Sequence, residues 1–296
     1  MKVTDATARI SFKNILLATD FSPVSESALS YAESIARRYG SKVFATHVVS
    51  SSEAPMVPPE CWGSCQQILD EAAQREMQAL SERLRGIPHE MVLRYGGVWE
   101  VLSQLVEKND IDLMVMGTHG REGLGRLLLG SVAEDVFRRA SCPVLTVGPN
   151  AVGDVAPETN FKEIVFATDL NPESEAAARY AISLAQDYQA RLTLVHVIVG
   201  QVESLVKADA IVQDRMEGLR SLIPGDVESW CRPEYVVDFG DHARQILEAA
   251  RERKADLIVL GVKAATGHLG AATHVAAATA HTVVSQAPCP VLIVRG

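Results

Sequence analysis

The stretch FKNILLATDFSPVSESALSYAESIARRYGSKVFATHVV, Phe12–Val49, returns as FKEIVFATDLNPESEAAARYAISLAQDYQARLTLVHVI, Phe161–Ile198, without a gap, at a constant offset of 149 and with 17 of 38 positions identical. Each copy opens on a short, mostly apolar run, Asn14–Thr19 in the first, as expected of a strand buried on both faces. The period then changes. Ala28, Tyr31, Ala32, Ile35, Ala36 and Tyr39 recur at three- and four-residue spacing, which predicts an amphipathic helix capped by Ser22 with Pro23 at its first position; Asn171 and Pro172 repeat the arrangement. Val43–Val49 reads as the next strand. A strand, a helix and a second strand stated twice make this a duplicated α/β chain.

Working outward, the first half continues with a helix over about 66–85, a strand Glu90–Arg94, a helix Val98–Glu107, a strand Leu113–Met116, a helix Ser131–Arg139 and a last strand Val144–Val147. Such alternation predicts a mostly parallel open sheet of five strands in each half, with right-handed crossovers and helices on both faces. A second pair of anchors recurs late in each half: Asp112-Leu-Met-Val-Met-Gly117 with Cys142-Pro-Val-Leu, and Asp256-Leu-Ile-Val-Leu-Gly261 with Cys289-Pro-Val-Leu. Gly148–Asn160, carrying Pro149, Gly153 and Pro157, reads as a linker and sets the domains at 1–150 and 151–296.

The 296 residues carry a net charge of −9, which argues against binding nucleic acid or an anionic membrane through a basic surface. The start MKVTDATARI has no apolar core, and no apolar run approaches the ~18–20 residues that span a bilayer, so the expectation is a cytoplasmic protein without stable membrane insertion. Five cysteines are present. Cys142 and Cys289, at equivalent places before a hydrophobic strand, are expected to be reduced and buried. Cys61 and Cys65 flank Trp62-Gly63-Ser64 in a Pro-rich insertion of the first half (Pro55, Pro58, Pro59); they read as loop thiols, a metal or redox pair being the alternative.

Ligands of doubly wound sheets bind beyond the carboxyl ends of the strands, where the strand order reverses, so the decisive residues follow strands one and four. Strand four runs into Gly117-Thr-His119-Gly120-Arg-Glu-Gly-Leu-Gly-Arg-Leu-Leu-Leu-Gly130-Ser131, and a helix begins at Ser131. A helix start offers unpaired N–H groups and partial positive charge, glycines admit phosphate oxygens close to the backbone, and the Ser131 hydroxyl adds a donor. A plain flexible turn is the competing reading. A P-loop is excluded because no lysine precedes Ser131, and a dinucleotide fingerprint because Asp20-Phe21-Ser22-Pro23, not glycines, follows the first strand.

The pattern Gly117-x2-Gly120-x9-Gly130-Ser131, preceded by Ile15-Leu-Leu-Ala-Thr-Asp20 and His47-Val48 and closed by Cys142-Pro-Val-Leu-Thr-Val147, resembles the ATP-binding branch of the universal stress protein family, in tandem form and over nearly the whole chain. The resemblance implies two Rossmann-like domains, the first with an intact nucleotide motif and the second with a degenerate one. It places Asp20 on the ribose hydroxyls, Ala18 and Val48 beside the adenine (Val48 through its backbone), and Gly117, His119, Gly120, Gly130, Ser131 and Val132 around the phosphates. The implied ligand is ATP, or AMP/ADP, with Mg2+ accompanying the nucleotide. It also implies that the halves pair through Val144–Val147 and Val291–Val294 as a pseudo-dimer, with a homodimer of whole chains as a further option; both strands are short apolar edges that call for a cover.

The second half keeps Asp169 and Val197, but Gly120 becomes Ala264, and Gly130-Ser131 fall near Ala277-Ala278 after a three-residue insertion. Methyl groups then occupy the phosphate space, with Lys263 as the one nearby cation in the aligned stretch. His268, His274 and His281, six and seven residues apart, do not share a helical face, which argues against a metal site. The leading expectation is a nucleotide-binding stress-response or regulatory protein without a catalytic residue. The alternatives are a slow ATPase, with His119 as its single candidate base, and a scaffold or carrier whose alanine-rich second cleft holds another ligand. Adenylating signatures such as Ser-Gly-Gly and the Gly-x-Ser-x-Gly elbow do not occur in the chain.

Overall fold

The computed structural model describes residues 9–50, 62–118, 129–151, 160–171, 174–199, 205–225, 227, 231–262 and 271–296, without the side chains of 62–66, 205–207 and 271–277. The first half runs β1 (Asn14–Ala18), α1 (Pro23–Tyr39), β2 (Lys42–Val49), α2 (Trp62–Arg83), β3 (His89–Tyr95), α3 (Val98–Lys108), β4 (Leu113–Gly117), α4 (Ser131–Arg139) and β5 (Val144–Val147). The second repeats it as β6 (Glu163–Ala167), α5 (Ser174–Tyr188), β7 (Arg191–Ile198), α6 (Leu205–Ser221), β8 (Glu234–Phe239), α7 (His242–Arg253), β9 (Leu257–Val262), α8 (Ala271–Gln286) and β10 (Val291–Arg295). Helix α2 starts at Trp62, which puts Cys65 on a helix rather than in a loop; Cys61 lies outside the described residues. Of the stretch read as a linker, Pro149–Ala151 form one 3-10 turn and 152–159 lie outside the described residues.

All ten strands join one sheet in the order β3-β2-β1-β4-β5-β10-β9-β6-β7-β8. Pairing is parallel within each half, and the order reverses between β1 and β4 and again between β6 and β9. The central strands are sealed on both faces. Ile15 and Leu17 of β1 join a core with α1, α2, α5 and α6, while Leu16 joins a second core with α3, α4, α7 and α8. That two-sided burial is why these strands read as unbroken apolar runs.

The last strands of the two halves meet as expected, Val291 opposite Thr146 and Ile293 opposite Val144 in antiparallel register, and the Thr146 hydroxyl donates to the Val291 carbonyl at 3.1 Å. Since α1 and α5 share one face, the pseudo-twofold axis runs through the sheet perpendicular to it, and the carboxyl ends of the two strand sets lie at opposite edges. Around the axis the repeat generates paired contacts. Phe12 stacks on Tyr180 and Tyr31 on Phe161, with ring centroids 6.2 and 6.3 Å apart. Tyr39 donates its hydroxyl to Asp187 at 2.7 Å, whereas its counterpart Tyr188 carries the Arg38 guanidinium 4.0 Å above its ring and keeps a buried hydroxyl with no hydrogen-bond partner.

The repeated Asp112 and Asp256 are structural. Asp112 accepts the Lys13 and Asn14 N–H groups, and Asp256 those of Lys162 and Glu163, tying strand starts together at the ends remote from the clefts. Cys142 and Cys289 are free, buried thiols just ahead of β5 and β10, and burial pushes them up to about 11 and about 12, far from a reactive thiolate.

Candidate functional site

The turn after β1 is built by short side chains acting on their own backbone. The Thr19 hydroxyl oxygen accepts the Phe21 N–H at 3.0 Å, and Asp20 Oδ1 accepts the Ser22 N–H at 3.1 Å and the Ser25 hydroxyl at 2.5 Å. Phe21 is left in the left-handed region at φ +60°, a costly conformation for a bulky residue. Two further bonds hold the turn against β2. The Thr19 N–H donates to the Thr46 carbonyl at 3.0 Å, and buried His47 donates from Nδ1 to the Thr19 carbonyl at 2.8 Å, a carbonyl being able only to accept. The Phe21 ring lies against His47, centroids 4.7 Å apart. Asp20 is thereby fixed at the mouth of the crevice between β1 and β4. Thr19 and His47 went unassigned in the sequence, although both are identical between the repeats, a signal that pointed to them.

The register places the rest. Ala18 ends β1 beside Thr46 of β2 and Met116 of β4, and Val48 lies two residues further along β2. Ala18 and Val132 both pack against the core on the α3 and α4 face. The Thr118 N–H donates to the Val147 carbonyl and the Gly130 N–H to the Thr118 carbonyl, both at 2.9 Å, so the chain returns from its excursion to start α4 beside the end of β4. Ala18, Asp20, Val48, Gly117, Gly130, Ser131 and Val132 are therefore gathered at one end of one half; His119 and Gly120 lie outside the described residues.

Gly117 has a packing role of its own. A Cβ there would stand 3.0 Å from Val24 Cγ1 and 3.2 Å from the Ser25 backbone nitrogen, so glycine lets β4 end against the first turn of α1. Gly261 has the same role in the second half, a Cβ meeting Ala177 and Ser174 at 3.3 Å. This explains why these glycines recur in both copies while Gly120 and Gly130 do not.

Helix starts at the carboxyl edges differ in their caps. Ser22 caps α1 by accepting the Ser25 N–H, and Asp241 caps α7 by accepting the Arg244 N–H. At α3 the cap is Gly97, and the Glu100 carboxylate folds back against it. Helix α4 starts from Gly130, extended at φ −63° and ψ 151°, with no side-chain cap, and Ser131 in its first position is exposed. Its first-turn N–H groups are suited to an anion supplied from outside the helix.

The equivalent place in the second half is different. Aligned on Cys142 and Cys289, Ser131 corresponds to Ala278, yet α8 already begins at Ala271, about two turns earlier. Ala278 sits in a helix interior, where backbone N–H groups are directed to carbonyls of the preceding turn. Asp169 is held like Asp20, accepting the Asn171 N–H at 3.1 Å and the Ser174 hydroxyl at 2.8 Å, and it also accepts the Asn171 side-chain amide at 2.6 Å. His196 donates to the Thr168 carbonyl at 3.0 Å, and Leu170 is left-handed at φ 63°. Burial, foremost, holds the His196 imidazole below its usual range. Of the three histidines of this stretch, His268 and the side chain of His274 lie outside the described residues, and His281 is half-buried on α8.

The family model described as the universal stress protein family matches the chain twice, over residues 11–148 and 160–295. A universal stress protein of Mycobacterium tuberculosis is 26% identical over 300 residues, spanning 95% of this chain and 96% of its own. One of Methanocaldococcus jannaschii is 35% identical over 149 residues, spanning 46% of this chain and 82% of its own. Among solved structures, a universal stress protein from Archaeoglobus fulgidus superimposes with a TM-score of 0.68 at 20% identity, covering 96% of this chain and 97% of its own, a likeness of fold.

Proposed function

The chain belongs to the universal stress protein family, and on that premise we propose that its first half binds one adenine nucleotide, ATP or its AMP or ADP counterparts, while the second half serves as its fixed partner. The observation that carries this reading is the start of α4: a helix opening at Ser131 from an uncapped glycine, beside the carboxyl end of β4 and across the crevice from a pinned carboxylate. Each part has a matching chemical group. Asp20 is a carboxylate acceptor for ribose hydroxyls. The first-turn N–H groups of α4 and the Ser131 hydroxyl are donors for phosphate oxygens, and the helix dipole favours the negative charge. Val48 offers backbone N–H and C=O groups to the adenine edge. Mg2+ would travel with the phosphates, since carboxylates that could form a dedicated cage are not grouped among the described residues.

The role is that of a sensor or regulator read by a partner, not of a fast catalyst. His119 is the single base the motif offers, and hydrolysis needs a positioned one. The direct experiment is to denature the purified chain and identify released nucleotide by chromatography and mass, then to titrate the stripped protein with ATP. An adenine nucleotide bound in the first half supports the reading. No released nucleotide together with no ATP binding by the stripped chain would overturn it.

A further inference from the structure

The repeat also relates the carboxyl ends of α4 and α8. Aligned on Cys142 and Cys289, Phe137 of α4 corresponds to Val284 of α8, and Arg295, which closes β10, to Gly148, which follows β5. Each of these strand ends lies against a helix carbonyl of the other half. A guanidinium N–H of half-buried Arg295 donates to the Phe137 carbonyl, and a Cβ on Gly148 would stand 3.2 Å from the Val284 carbonyl. The pseudo-twofold axis thus makes the same juxtaposition twice, filled by an arginine side chain in one copy and by backbone alone in the other. At α8 a different side chain of the first half serves, the Asn150 amide donating to the Gln286 carbonyl at 3.3 Å.

Phe137 lies where α4 runs out of its own donors. The Ala140 N–H donates to the Val136 carbonyl at 2.9 Å, and the carbonyls that follow belong to the helix end, where a cationic donor from outside also meets the favourable end of the dipole. The helix has nine residues, about 13 Å of length, and buries Ala133, Val136 and Phe137. Apolar contact is non-directional, so those three residues hold α4 against the core without fixing its place along its own axis. Directional bonds at the two ends do that: Gly130 N–H to the Thr118 carbonyl at the start, Arg295 to the Phe137 carbonyl at the finish. A shift of one end of a short rigid helix reappears at the other, and hydrogen bonds to a phosphate weaken steeply once distance and angle depart from their optimum.

We propose that Arg295 is a positioning residue for the nucleotide site of the other half: it clamps the carboxyl end of α4 and thereby holds Ser131 and the first-turn N–H groups in place for phosphate. The inference rests on the reading of α4 as the phosphate-binding helix. It gives the second half a share in the first half's site through one side chain.

The test compares the two helix ends in the full chain, titrated with ATP by calorimetry. Arg295→Met keeps most of the side chain's length, removes its donors, and is expected to bind ATP about tenfold more weakly than the parent. Asn150→Ala releases the end of α8 and is expected to stay within about twofold of the parent. Arg295→Lys, a cation that can still donate to the last carbonyls, should bind about threefold or more tightly than Arg295→Met. A residue that merely supported the fold would lower the thermal midpoint and leave the affinity of the folded chain as it was. Parent-like affinity in Arg295→Met, equal weakening in Asn150→Ala, or no recovery in Arg295→Lys overturns the inference and leaves the nucleotide reading standing. A parent that binds no ATP sinks both. Should Arg295→Met unfold at the assay temperature, it and the parent are titrated in trimethylamine N-oxide, which favours the compact state; the same ratio is expected there, and equal affinities overturn the proposal.

Discussion

Helix α4 has nine residues and helix α8 sixteen, although both lead into the same Cys-Pro-Val-Leu strand. In the first half α4 opens at Ser131 from Gly130, a polar helix start beside the carboxyl end of β4. In the second the chain enters the helix about two turns sooner, and the backbone groups at the same position belong to a helix interior. On the proposed nucleotide reading, lengthening one element into the site removes it without changing the fold. The turns after β1 and β6, by contrast, keep one backbone course, with Thr19 and Thr168 each accepting the N–H two residues on and Phe21 and Leu170 sharing the left-handed conformation.

The strongest way to break this comparison is to make the first half resemble the second. Gly130→Ala with Ser131→Ala is expected to reduce ATP binding from about one site per chain to nearly none by calorimetry, the serine donor being worth ~1.5–3 kcal/mol. Asp20→Ala should weaken ATP markedly, and Asp169→Ala should leave it nearly unchanged. Two equivalent sites in the parent would end the asymmetry.

Next in size are the packing glycines. Gly117→Ala should cost ~1–3 kcal/mol in urea unfolding, because the new methyl meets Val24 and the Ser25 nitrogen, and it should also weaken ATP because Ser25 holds Asp20. Gly261→Ala should lower stability without touching ATP affinity. The tyrosines at the axis sharpen the contrast further. Tyr39→Phe loses a bond to Asp187 and should cost about 1–2 kcal/mol, whereas Tyr188→Phe removes a buried hydroxyl without a partner and should be neutral or stabilising.

The smallest effect is on pH dependence. His196 titrates below its ordinary value when folded, because burial disfavours its charged form. Its contribution to stability is therefore full above the unfolded value of about 6.5 and is lost as pH falls through the lower folded value. His196→Gln should flatten the acid limb of a stability profile measured from pH 7.5 to pH 5.

The fold was legible because local and global signals agreed. A gapless repeat, two-sided apolar strands and helix caps all demanded one alternating sheet, and the start of α4 at Ser131 followed from its glycine. What stayed hidden depended on contacts between distant residues. Gly117 looked like part of a ligand loop because its neighbours Val24 and Ser25 come from another helix. The early start of α8 had a trace in the sequence, since alanine is the strongest helix former and no glycine interrupts Ala271–Ala280, but an alignment anchored on cysteines assigns equivalence by count rather than by conformation. Asn171 read as a helix cap by residue type, and its choice of Asp169 is a matter of rotamer.

The unlike contacts at the pseudo-twofold axis bear on how such a chain can diverge. In an assembly of identical subunits, a residue beside the axis meets its own copy's surroundings, and every substitution is made twice. Here Arg38 and Asp187 stand at equivalent positions with opposite charge, an arrangement that no symmetric pair of either half could reproduce. Covalent fusion has released each copy from having to suit itself. The second half can drift toward a purely supporting part while the first keeps its chemistry, and the tether holds the two together at any dilution.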